Sequence, residues 1–118
     1  MHRLLFVILA AGAAWSGGQW TDRVSPKAAA RQNPYAGQNS AALAGAKLYS
    51  QHCAACHGAG REGSNQAPPI ASARIKDLGD GQLFWLLMNG SLKAGMPSWS
   101  HLPPEQRWQI VTFLRGRD

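Results

Sequence analysis

Cys53-Ala54-Ala55-Cys56-His57 is the stretch on which the fold of this chain turns. On a helical turn, positions i, i+3 and i+4 share one face, so this spacing aims two sulfurs and an imidazole the same way. Cys-x-x-Cys-His is an attachment motif for covalently bound haem, in which both thiols add to the vinyl groups and the imidazole reaches the iron. That use consumes both cysteines of the chain, and there are only two.

Other chemistries use part of the same motif. A redox dithiol sits at a helix start after a strand, and no strand pattern precedes Cys53. A structural zinc site needs a fourth ligand beside Cys53, Cys56 and His57; His52 and His101 are candidates, but no second metal-type pair exists. A plain disulfide gives no reason for the adjacent His57.

A haem iron in an electron carrier takes a sixth ligand, commonly a methionine sulfur. Met1 leaves with the leader described below. Met88 falls within an apolar helical pattern, where core packing explains it. Met96 lies in Gly95-Met96-Pro97-Ser98-Trp99, an irregular loop 39 residues after His57, and a methionine held between Gly and Pro suits a ligand better than a packing residue. Met96 is therefore the expected sixth ligand, ahead of His101, His52 or an open position.

Outward from the motif the pattern is helical and interrupted. Ser40 is placed as the N-cap of a helix through Leu43, Ala44, Ala46, Lys47, Leu48 and Tyr49 towards Cys53. A second helix starts near Asp80, read as its cap, and carries Leu83, Phe84, Leu86 and Leu87 to the stop at Asn89-Gly90. The third opens at Pro103-Pro104-Glu105, where proline is tolerated, and buries Ile110, Val111 and Leu114. Nowhere does apolar and polar sequence alternate as a strand requires. Gly58 to Asp77 and Ser91 to Leu102 are long and rich in Gly, Pro and Ser, which in a small domain marks loops wrapped around something.

Towards the N-terminus, Arg3 precedes an apolar run from Leu4 to Ala14 that ends in Ala14-Trp15-Ser16, a small-x-small cleavage site. Residues 1–16 read as a secretory signal peptide, with an uncleaved anchor as the alternative. The run is shorter than the roughly 17–25 residues a spanning helix needs. The remainder is then exported, with a periplasmic location expected. Residues 17–39 turn to Gly, Ser, Pro, Gln and Asn and read as an extended linker or leader, with Trp20 and Tyr35 lying loosely on the surface. The folded domain is 40–118.

The chain has 118 residues, 12 Lys+Arg against 6 Asp+Glu for a formal charge of +6, and 45% hydrophobic residues. This excludes a multidomain enzyme and a cysteine-rich scaffold. A domain of about 79 residues is near the size at which a core needs reinforcement from a disulfide, a metal or a cofactor. No paired carboxylates and no nucleophile with its base suggest substrate chemistry. The basic balance falls to +3 on residues 40–118. It fits either steering towards an acidic partner or a generally solvated basic surface.

Residues 41–118 resemble a class I c-type cytochrome, with motifs in that family's order: Cys53 to Gly58, then Pro68-Pro69-Ile70, then Gly95-Met96-Pro97, then a closing amphipathic helix. The resemblance covers about two thirds of the chain. It implies an all-α fold, a small cytochrome c domain of three or more helices wrapped around one covalently bound haem c. It implies that the first and last helices cross closely at Gly45, with Tyr49 and Phe113 as the aromatics of the crossing. It also implies that Pro68 offers its carbonyl to the second ring nitrogen of His57, and that His57 and Met96 are the iron ligands. Leu48, Ile70, Leu83, Leu87, Leu92, Ile110 and Leu114 are the expected apolar lining, and Trp85, Trp99 and Trp108 pack the core or haem edge.

A haem with both axial positions taken by protein leaves one-electron transfer as its chemistry. The expectation is an electron carrier and not an enzyme. Its donor would be a dehydrogenase or a quinol-oxidising complex and its acceptor a terminal oxidase. No nucleic acid is expected, and membrane contact arises only if the leader stays uncut. Two other functions remain open: a haem subunit permanently docked to a quinoprotein dehydrogenase, and a ligand-binding sensor or peroxidase-like protein in which Met96 is labile.

Overall fold

The computed structural model describes residues 18–116, and the helical periodicity of the sequence returns in it as seven α-helical segments. In chain order these are α1 (Gly18–Thr21), α2 (Pro26–Ala29), α3 (Asn39–His52), α4 (Ala54–His57), α5 (Ser72–Ile75), α6 (Asp80–Asn89) and α7 (Pro104–Arg115), with a 3₁₀ turn at Leu92–Ala94 between the last two. Among the described residues there is no strand; Ser91 and Met96 pair as an isolated antiparallel bridge. The signal-peptide segment 1–16 lies outside the described residues. None of the described helices is long and apolar enough to cross a membrane.

The three long helices start and stop where local chemistry allows, with two differences from the sequence reading. Gln38, not Ser40, is the N-cap of α3. Here the turn from Asn33 sets the entry: the Gln38 N–H donates to the Tyr35 carbonyl at 3.1 Å, and the Gln38 carbonyl already accepts from Ala42. Gly79 is the N-cap of α6 and Asp80 its first helical residue. The Gln82 side chain accepts from the Gly79 N–H at 2.8 Å, which frees Asp80 to receive Nε of Arg115 at 2.6 Å. A carboxylate in the first turn also suits the helix dipole. Pro104 opens α7 as expected, and Gly90 ends α6 with φ +68°.

The core forms where α6 and α7 lay their apolar faces together and α3 crosses α7. Tyr49, Ile75, Leu83, Phe84, Leu87, Leu102, Trp108, Ile110, Val111 and Leu114 make one buried cluster. Phe84 and Trp108 stack with ring centroids 3.9 Å apart. The α3–α7 crossing is as close as two backbones allow, because a Cβ on Gly45 would stand 2.0 Å from the Gln109 carbonyl oxygen. Glycine costs a helix interior roughly 1 kcal/mol relative to alanine, so contact with α7 is what requires it here. Tyr49 meets Phe113 one turn on, with centroids 5.3 Å apart.

Residues 18–39 are not the extended leader their composition suggests. Trp20 stacks on Trp85 at 6.4 Å with planes 10° apart. Asn33 is buried, and its amide donates to Thr112 Oγ1 at 2.9 Å. Tyr35 is half-buried against the core. Trp20 and Tyr35 are therefore packed rather than loose. Composition misses this because the anchors are single residues, each finding one partner far along the chain.

Arg61 joins the loop after α4 to the end of α7. Only 2% exposed, it donates from Nη1 to the Leu114 carbonyl at 2.9 Å and lies over the Phe113 ring. That carbonyl belongs to the last turn of α7, where a cation is favoured and no intrahelical donor remains. Arg61→Met keeps the aliphatic stem and removes the donor. It is expected to cost about 2–4 kcal/mol, read as a lowered denaturant midpoint with an unchanged slope.

Candidate functional site

The Cys53–His57 segment is held by the end of α3 running straight into α4. Cys53 is the C-cap of α3 and the N-cap of α4. Its carbonyl accepts from the His57 N–H at 2.9 Å, which closes the turn that brings Cys53, Cys56 and His57 to one side. Both cysteines are free thiols, Cys53 half-buried and Cys56 exposed. Burial, reinforced by Cys56, pushes the Cys53 thiol up to about 11. A redox dithiol needs the opposite shift, and helix rather than strand leads into this one.

His57 is oriented from the loop that follows. Its Nδ1 donates to the Pro68 carbonyl oxygen at 2.8 Å. In the neutral ring this places the proton on Nδ1 and leaves the Nε2 lone pair as the donor atom, the arrangement by which proteins aim a metal-binding imidazole. Local bonds shape that loop to fit. The Gly63 N–H donates to the His57 carbonyl at 2.7 Å, and the Ile70 N–H donates to the Arg61 carbonyl at 3.0 Å. A Cβ on Gly63, where φ is +83°, would stand 2.6 Å from Pro69 N, so the proline pair closes onto a residue that has no side chain.

Tyr49, expected only as an aromatic of the helix crossing, and two residues that the sequence did not single out, Ser64 and Arg61, secure the same segment. Tyr49 Oη donates to the Gly58 carbonyl at 2.7 Å. Burial, with Cys53 second, raises the Tyr49 hydroxyl to about 12, which keeps it a donor across the ordinary pH range. Ser64 Oγ donates to the Cys56 carbonyl at 2.6 Å. Arg61, the third, takes φ +64° and so turns the chain back towards Pro68. A serine or arginine in a Gly-rich loop has no spacing that announces such a role, whereas Tyr49 was placed at the crossing and its bond to Gly58 adds to that.

Met96 sits where its loop returns to the core. The Ser91 and Met96 backbones exchange two hydrogen bonds, at 2.9 and 3.0 Å, across the 3₁₀ turn. Met96, Cys53, Ile70 and Trp99 are all half-buried and pack against the same apolar cluster. The other methionine differs from its reading: Met88 is 45% exposed and not core, because Leu83, Phe84 and Leu87 take the inward face of α6 and the helix ends one residue later. Of the expected lining, Leu48, Ile70, Leu83, Leu87, Ile110 and Leu114 belong to or pack on the cluster, while Leu92 is 77% exposed on the 3₁₀ turn. His52 and His101 flank the Trp99 ring, with centroids 5.1 and 5.5 Å away.

These donors suit a haem better than a bare ion. Two unbridged thiols on one turn, an imidazole with Nδ1 already engaged, and a thioether at the apolar edge are the donor types that would hold a covalently attached haem. Among the described residues no three His, Cys, Asp or Glu side chains gather as a metal-ion cluster. Residues 40–114 match the family model described as cytochrome c oxidase, cbb3-type, subunit III. No curated protein matches the chain.

Proposed function

The chain belongs to the class I c-type cytochrome family, and on that premise we propose that it is a periplasmic mono-haem electron carrier. The observation that carries the reading is the 2.8 Å bond from His57 Nδ1 to Pro68 beside two free thiols on the same turn. In this proposal Cys53 and Cys56 would hold the haem by thioether bonds, while His57 Nε2 and Met96 Sδ would ligate its iron. When bound, haem c supplies a one-electron couple at iron.

The rest is done by the polypeptide. Pro68 fixes the His57 tautomer and strengthens its donation. Met96, as a ligand, would favour the ferrous state and keep oxygen or peroxide from the iron. The cluster around Leu83, Leu87 and Ile110 keeps water away, so little solvent rearranges as charge changes. With His57 and Met96 both engaged, the haem would supply one-electron transfer and not chemistry on a substrate.

Redox proteins are its partners. A dehydrogenase or quinol-oxidising complex is proposed as donor and a terminal oxidase as acceptor, with the basic surface steering the encounter. The description of the matched family as an oxidase subunit favours a second form of this reading, in which the domain stays docked in a larger complex. Co-purification through high salt selects the docked form.

The test is the optical spectrum of protein made with the cytochrome c maturation system. The ferric wild type is expected to show methionine–iron charge-transfer absorption, and the ferrous wild type to leave carbon monoxide unbound. Met96→Ala should lose the first property and bind carbon monoxide readily. Ready binding by the wild type would instead select the sensor or peroxidase-like function.

A further inference from the structure

Residues 18–38 precede the matched stretch 40–114, yet they are built into the domain at defined points. All of these points lie on α6 or α7. A Cβ on Gly81 would stand 2.4 Å from the Ala28 carbonyl oxygen and 2.5 Å from that of Ala29, so α2 rests directly on the first turn of α6. Trp20 covers Trp85, and the Arg31 guanidinium lies 4.6 Å over the Phe84 ring. Asn33 bonds Thr112 on α7, and its own Oδ1 accepts from the Tyr35 N–H at 2.9 Å.

The far end of α6 holds the loop that carries Met96. The Leu87 carbonyl accepts from the Trp99 N–H at 2.8 Å, and the Met88 carbonyl accepts from Ser98 Oγ at 2.5 Å. A Cβ on Gly90 would stand 2.7 Å from the Met96 carbonyl oxygen and 2.6 Å from the Pro97 carbonyl carbon. The Met96 loop thus hangs from the last turn of α6, while the N-terminal segment lies along the same helix.

We propose that residues 18–38 act as a strap that holds Met96 on the iron through α6, with Trp20 against that helix and Asn33 against the adjoining α7 as its positioning residues. This rests on Met96 being the axial ligand. Helix α6 has ten residues and packs between α2 and α7. A helix that short has little stability of its own and takes its order from its neighbours. Loosening one neighbour makes local opening at the other end cheaper while the global fold persists.

Exogenous imidazole, which must displace Met96 to bind ferric iron, reads that opening. Trp20→Ala with Asn33→Ala should bind imidazole about tenfold more tightly than the wild type, the size expected when opening becomes tenfold more populated. Far-UV circular dichroism should remain native, and proteolysis within residues 18–38 should be faster. The milder Trp20→Ala alone should shift binding in the same direction, and Trp20→Phe should restore the wild-type affinity. Met96→Ala sets the ceiling. Faster cleavage of the strap with imidazole affinity unchanged within twofold overturns the proposal. A wild type without methionine–iron absorption overturns the ligand assignment itself, and this inference with it.

Discussion

Gly45→Val will leave little or no folded protein at 37 °C. Its Cβ would be built 2.0 Å from the Gln109 carbonyl oxygen, 2.6 Å from the adjoining carbon and 2.8 Å from Phe113 Cβ. The first two are backbone atoms in the middle of a helix, which no rotamer change relieves. Either α3 and α7 part along their crossing or α7 bends, and both options open the cluster around Ile110 and Val111. Overpacking of a core ordinarily costs about 1–3 kcal/mol; with the backbone as the obstacle, 3 kcal/mol or more is expected. Gly45→Ala is the sharper test. In an exposed helix that change gains roughly 1 kcal/mol, whereas here it should lose stability. A denaturation midpoint equal to or above wild type for Gly45→Ala would refute the close crossing.

The second large effect concerns the thiols. Expressed with the maturation system, Cys53→Ala with Cys56→Ala should yield polypeptide whose haem, if any is held through His57, is removed completely by acid–acetone extraction. The wild type should keep its haem through the same treatment. Each single variant should keep one link and a pyridine haemochrome band shifted by the remaining unsaturated vinyl group. Because Cys53 is half-buried against the cluster and Cys56 is exposed, the two singles should differ in yield. Cys53→Ala also removes packing. Extraction of haem from the wild type would end the covalent reading, whatever the spectrum before extraction.

How far this architecture could be read from residues alone depended on the range of each interaction. The bodies of α3, α6 and α7 were legible because apolar spacing is a local signal, and Gly45, Tyr49 and Phe113 meet where the family resemblance implied. The starts of α3 and α6 were not. Their caps depend on a turn back at Asn33 and on Arg115 drawing Asp80 away from the capping position. The strap was invisible for the same reason, since Asn33 and Thr112 are 79 residues apart and nothing local marks either. Met88 was misplaced because helical spacing says which residues share a stripe, but not how far along the helix the core extends. At the site, Pro68 was chosen over Pro69 through the resemblance, and the His57 bond lies to Pro68. Ser64 and Arg61 support the same loop through bonds that no motif encodes.

The α3–α7 crossing also governs when the chain can close as it folds. Its tightest contact joins residue 45 to residue 109, so the helix leading into Cys53 gains its main partner only when α7 docks. Contacts of such sequence separation form late, because loop closure must precede any gain from packing. Throughout that interval Cys53 is not yet shielded by the cluster that later half-buries it, and both thiols stand open to modification. The fold thus carries its own delay: the crossing that seals the domain joins residues far apart in the chain, and the proposed linkage to the two thiols has that interval in which to occur.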